Sequence, residues 1–184
     1  STLYQKAMEG DKDCGGMIAC NYYSGEPVTG LEEGRPMFLR RPDSHLGLAN
    51  FMRSHLYASL ATLKIGLDIL LKEEDVKIDS ITGHGGLFKT KGVGQSILAA
   101  AMNAPISVME TAGEGGAWGM ALLAAYMLFK KDGQSLGDYL DSRVFAERKS
   151  ETMEPDPADV AGFETYTKQY QACLAAEKAA VQAF

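Results

Sequence analysis

The sequence has no CxxC pair, no excess of basic charge and no apolar run long enough to cross a bilayer. Its three cysteines, Cys14, Cys20 and Cys173, are odd in number and irregular in spacing. That excludes a disulfide framework and argues against a zinc site. Free thiols fit a reducing, cytoplasmic setting. The balance of 18 Lys and Arg against 24 Asp and Glu, a net charge of −6, offers no basic surface for nonspecific nucleic-acid binding. The opening STLYQKAMEGDKD lacks the charged-then-apolar pattern of a signal peptide. No stretch approaches the ~18 uncharged apolar residues of a membrane span. There is no internal repeat and no low-complexity tract, and neither GxxxxGK[ST] nor GxGxxG occurs.

What the chain does have is length, apolar content and glycine. Its 184 residues, 46% hydrophobic and 23% charged, suit one folded domain with a real core. Glycine, at 20 of 184 residues, exceeds the usual ~7%. Nine of these glycines fall between Gly83 and Gly119. The chain opens without Met, inside the apparent helix TLYQKAMEG, so a piece of a longer protein is expected.

Hydrophobic periodicity predicts the elements. GGMIACNYY reads as a strand before the turn SGEP, and residues 34–39 as a short strand that Pro36 confines to an edge or loop. Asp43 or Ser44 is expected to cap a long amphipathic helix that runs to about Lys72. Its predicted apolar stripe is Leu48, Phe51, Met52, Leu56, Leu60, Leu63, Leu67 and Leu70. Residues 76–82 predict a strand, 89–102 a helix, 106–109 a strand and 117–130 a buried apolar helix. The acidic, proline-bearing stretch SETMEPDPADV predicts a surface connection, and 163–184 a final helix with Tyr166, Tyr170, Cys173 and Leu174 on one face. Alternating helices and strands with Gly turns imply an α/β domain with helices on a sheet.

The chemistry is expected at two glycine turns, Gly83-His84-Gly85-Gly86 and Gly113-Glu114-Gly115-Gly116. Glycine between a strand and a helix lets backbone approach a ligand, and the helix start offers unpaired N–H groups. Together the turns could frame a nucleotide; tight helix–strand packing calls for glycine too, so the alternative is that they only pack. Glu114 reads either as part of that frame or as a solvated carboxylate at a helix start. His84 has no second ligand at metal spacing. His45 and His55 flank one helix ten residues apart and cannot form a site by themselves. Lys89 and Lys91 could meet phosphate.

The stretch from Ile81 to Tyr126 resembles the C-terminal domain of FGGY-family carbohydrate kinases, most closely the xylulokinase and ribulokinase branch. Gly85-Gly86-Leu87-Phe88-Lys89-Thr90 stands where that family has a GGxxKS-like turn. Gln95 follows early in the next helix, and Glu114-Gly115-Gly116-Ala117-Trp118-Gly119-Met120-Ala121 resembles the loop that leads into an ALGAALLAA-like helix. Upstream, NYYSGEP resembles YxSGE, and Asn50 to Ala58 the helix after it; downstream, MEPDP with Phe163, Tyr166 and Tyr170 resembles the closing segment. Arg40-Arg41 replaces a Gly-Leu of the family pattern, Tyr57 a Glu, and Thr90 a Ser.

The resemblance implies an actin-like ATPase (ribonuclease H-like) fold with a mixed sheet, incomplete in this chain. Residues 1–184 would be the nucleotide-binding C-terminal part of a two-domain sugar kinase, with 144–184 its surface connection and terminal helix. It implies ATP and Mg2+, a ketopentose substrate (D-xylulose or L-ribulose), and an N-terminal domain that carries the catalytic Asp. It implies nucleotide contacts from Gly85, Gly86, Lys89, Thr90 and Glu114, and no catalytic residue here. An apolar face left by the missing domain would admit a homodimer. A nucleotide-gated actin-like module without sugar chemistry is the alternative from another class.

Overall fold

The computed structural model describes residues 2–78, 80–110, 112–146 and 150–183. After a short helix α1 (Thr2–Ala7), strand β1 (Met17–Cys20) is buried throughout. It pairs antiparallel with β2 (Met37–Arg40), Ile18 opposite Leu39 and Cys20 opposite Met37. Pro36 stands just before β2, where its missing N–H breaks no ladder bond. Cys14 and Cys20 are buried free thiols; burial is the main cause that pushes Cys20 up to about 12 and Cys14 still higher.

Helix α2 (Leu48–Lys72) forms as expected, but its start and its buried face differ. Gly47 takes the cap position with no side-chain bond. Ser44 is used elsewhere: its Oγ accepts from the Arg41 N–H and donates to the Gly16 carbonyl, tying this loop to the hairpin. Asp43 instead lies 3.3 Å from Arg41. Of the predicted stripe only Leu56 and Leu60 are buried, while Leu48, Phe51, Leu63 and Leu70 are exposed. The inward face runs instead through Asn50, Arg53, Ser54, Tyr57, Ala58 and Ala61.

The second half holds a three-stranded mixed sheet in the order β3-β4-β5. Strand β3 (Ile81–Gly83) is parallel to β4 (Ile106–Met109), and β5 (Ser150–Met153) is antiparallel to β4. The predicted strand at 76–82 is thus shortened to its last residues plus Gly83. Helix α3 (Val93–Met102) joins β3 to β4 and is buried on nearly every side, as an all-round apolar helix should be. It begins at Val93, a turn later than the predicted Lys89, and a separate 3-10 turn, Gly86–Lys89, precedes it.

Helix α4 (Gly115–Phe129) departs from the expected burial, since it buries no residue: Met127 and Leu128 are 77% and 76% exposed. On its sides Trp118 meets Phe145, and Tyr126 meets Tyr139 of α5 (Leu136–Leu140). The acidic stretch expected as a surface connection supplies β5 and the start of α6 (Pro157–Ala183). Pro157 stands at the first helical position, where an absent N–H costs nothing. The Asp156 carboxylate accepts from the Ala158 and Asp159 N–H groups, an N-cap arrangement. Helix α6 buries Phe163, Tyr166 and Tyr170 against α2, α3 and β1. Gly162 allows this approach: a Cβ there would lie 2.2 Å from the Lys12 carbonyl oxygen. Among the described residues no helix is long and apolar enough to cross a membrane.

Candidate nucleotide site

Because β3 and β4 are parallel, their C-terminal ends open on the same side, and each feeds a glycine turn there. In open α/β sheets that edge is where ligands bind. The first turn requires glycine at Gly85, whose φ of +107° lies in a region L side chains rarely adopt. The two turns touch. The Lys89 stem crosses Gly113, where a Cβ would sit 3.1 Å from Lys89 Cγ. A Cβ at Gly115 would lie 3.2 Å from the His84 side chain. Lys89 Nζ then reaches Glu114 Oε1 at 2.6 Å, an exposed ion pair that clasps one turn to the other.

Beside the clasp, at the start of α3, lies a cavity of about 520 Å³. Phe88, Val108 and Met109 form apolar walls; Thr90 and Gln95 form a buried polar floor; Lys89, Lys91, Glu110 and Glu151 contribute charge at its margin. Lys91 and Glu151 face each other at 3.6 Å. Gln95 Nε2 donates to the carbonyls of Ile106 and Glu151, both at 2.7 Å, so one side chain holds α3 to β4 and β5. The volume is that of a small-molecule pocket with a few placed polar groups.

The five expected contact residues divide by place. Lys89 and Thr90 line the cavity. Gly85 and Gly86 form the turn ahead of it and look onto open space. Glu114 reaches the margin through Lys89. The walls Val108 and Met109 and the β5 residues Ser150 and Glu151 join the site without having been anticipated; no sequence signal joins β5 to a turn about 60 residues earlier. Among the described residues no three His, Cys, Asp or Glu side chains converge as a metal site.

A sequence model described as the FGGY family of carbohydrate kinases, C-terminal domain, matches residues 1–128. Among curated protein sequences none matches the chain. Similar solved structures include a xylulose kinase from Rhodospirillum rubrum at TM-score 0.67 and 21% identity, covering 95% of this chain and 33% of its own. A gluconate kinase from Lactobacillus acidophilus has TM-score 0.69 and 20% identity, with 95% and 34% covered. A Plasmodium falciparum glycerol kinase with ADP has TM-score 0.65 and 17% identity, with 96% and 33% covered. At such identities the likeness shows the fold, and the chain spans about a third of the length of these proteins.

Proposed function

The chain belongs to the FGGY family of carbohydrate kinases, through the C-terminal domain of its actin-like ATPase fold, and from that premise we propose that it forms the nucleotide side of a kinase acting on a ketopentose. Kinases of this family are ATP-dependent phosphotransferases. One observation carries the reading: two glycine turns at the C-terminal ends of parallel strands are clasped together by Lys89 and Glu114 beside a cavity with a polar floor. Gly85 and Gly86 present backbone to the nucleotide, Thr90 offers a hydroxyl, and Lys89 and Glu114 hold the turns at a fixed spacing.

The sugar, the catalytic Asp and the rest of the cleft belong, in this reading, to an N-terminal domain of the same protein. That Asp takes the proton from a sugar hydroxyl, which attacks the γ-phosphoryl group as its bond to the β–γ bridging oxygen breaks and ADP leaves, while domain closure excludes water. Mg2+ bound with the nucleotide would neutralise phosphate charge in this reading. D-xylulose is the first candidate substrate and L-ribulose the alternative; the buried free thiols suit a cytoplasmic protein.

Labelled ATP and a panel of D-xylulose, L-ribulose, gluconate and glycerol, offered both to the full-length protein and to residues 1–184, test this reading. Ketopentose phosphorylation by the full-length protein and none by the 184-residue chain is expected. Clear sugar phosphorylation by the chain alone overturns the division of labour, and a full-length protein inactive on ketopentoses overturns the substrate.

A further inference from the structure

The floor of the cavity carries a hydrogen-bonding demand that the protein leaves unmet. Gln95 is 6% exposed, and its Nε2 donates to two backbone carbonyls. An amide nitrogen only donates and an amide oxygen only accepts. Turned over, the amide would set its oxygen against the oxygens of Ile106 and Glu151, so its orientation is fixed. Oε1 is therefore an acceptor, and it has no hydrogen-bond partner among the described residues. It is not sealed in protein either: the buried orphan atom among described side chains is Glu177 Oε2. Gln95 lines the cavity, and with Nε2 committed to the two carbonyls, Oε1 is the side-chain polar atom it has left to offer a ligand there. Thr90, 9% exposed, lines the same cavity, and its hydroxyl also lacks a partner among the described residues.

Once a ligand displaces solvent from this acceptor, leaving it without a donor is costly, so the site favours a ligand that brings one. The apolar walls Phe88, Val108 and Met109 suit a flat ring. A ring with an exocyclic amine at its inner edge satisfies walls and floor together. A ring with a carbonyl at that edge sets oxygen against oxygen.

We propose that Gln95 is the base-selecting residue of the nucleotide site: its Oε1 accepts a hydrogen bond from the exocyclic amine of the base, with the Thr90 hydroxyl as a second partner. This rests on the ATP reading above. The bonds that brace α3 to the sheet also preorganise the acceptor, so no rotamer need be found when the base arrives. A site built to pair a substrate N–H discriminates strongly against an analogue that lacks it.

Adenosine triphosphate and inosine triphosphate differ at this edge, amine against carbonyl, and calorimetric titration of the chain with each measures the preference. Thr90→Val keeps the side-chain shape, removes the hydroxyl and leaves both Gln95 bonds in place. The adenine nucleotide is expected to bind at least about tenfold more tightly than the inosine nucleotide. Its titration should shift the Gln95 side-chain amide signals in NMR spectra. Thr90→Val should weaken the adenine nucleotide several-fold and the inosine nucleotide less. Equal affinities, or adenine-nucleotide binding that leaves the Gln95 signals unmoved, overturn the proposal and leave the ATP reading standing. Binding of neither nucleotide overturns both.

Discussion

Arg53 is the largest side chain that the core buries completely, and it explains why α2 turns a polar face inward. Its Nε and Nη2 both donate to the Tyr57 hydroxyl, Nη2 also pairs with Asp159 of α6, and Nη1 faces the carbonyls of Ala7, Met8 and Gly10 at the end of α1. Burial alone would lower its pKa, but Tyr57 and Asp159 outweigh it and hold the guanidinium above its ordinary value. The resemblance expects Glu where Tyr57 stands, and here the carboxylate comes from another helix. Apolar periodicity along α2 cannot anticipate this, because beyond Tyr57 the hydrogen-bond partners of Arg53 lie 43 to 106 residues away in sequence. Truncation leaves Asp159, among the described residues, with the half-exposed Lys12 as its remaining charged partner. Arg53→Met is therefore expected to cost about 3–5 kcal/mol, read as a lowered urea midpoint. Tyr57→Phe, which removes one acceptor of a charged donor, should cost about 1.5–3 kcal/mol. An unchanged midpoint in Arg53→Met would show that the cluster does not hold the three helices together.

Among the elements, the two glycine turns show what a clasp contributes that glycine alone does not. Lys89 and Glu114 are both exposed, so the pair is weak and screened by salt. Its effect is local: it restrains the turns against each other. Hydrogen exchange at residues 84–90 and 112–116 is expected to speed up a few-fold in Lys89→Glu and in Glu114→Lys, and to return when the two are combined. Acceleration that persists in the charge-swapped double variant would mean that Lys89 acts through its stem over Gly113 instead. The turns, α2, α3, β4 and the β1 strand were legible because glycine placement and apolar periodicity are local signals. The rest was set by distant neighbours. Strand β5 exists because Ser150–Met153 pair with β4, as Ser107 Oγ and Thr152 Oγ1 at 2.8 Å illustrate, and its own sequence, SETM, is mostly polar. Nothing local distinguishes it from a surface connection. At the site, Lys89 and Thr90, which line the cavity, had been singled out through the family resemblance, whereas the walls Val108 and Met109 required the strand pairing to be known.

For the molecule as a whole, α4 is the element out of balance. Fifteen residues, GGAWGMALLAAYMLF, are apolar on all sides, a pattern that belongs in a core, yet none is buried. Met120, Leu123, Met127, Leu128 and Phe129 stand exposed together along one short helix. Among the described residues β3 stands at an edge of the three-stranded sheet. An apolar patch of this kind promotes association, and a net charge of −6 spread over 184 residues is a weak deterrent. The 184-residue chain is thus expected to self-associate at micromolar concentrations, seen as a rising sedimentation coefficient, and to bind a hydrophobic dye such as ANS. Met127→Lys combined with Leu128→Glu should reduce both. It should do so at a stability cost of no more than about 0.5 kcal/mol, because neither side chain contributes to the core. A wild-type chain that stays monomeric and dark to the dye would show that α4 folds back on the domain in solution. A large loss of stability in the double variant would show that these side chains already have a partner within it. Loss of association at unchanged stability would identify α4 as a surface built to be covered.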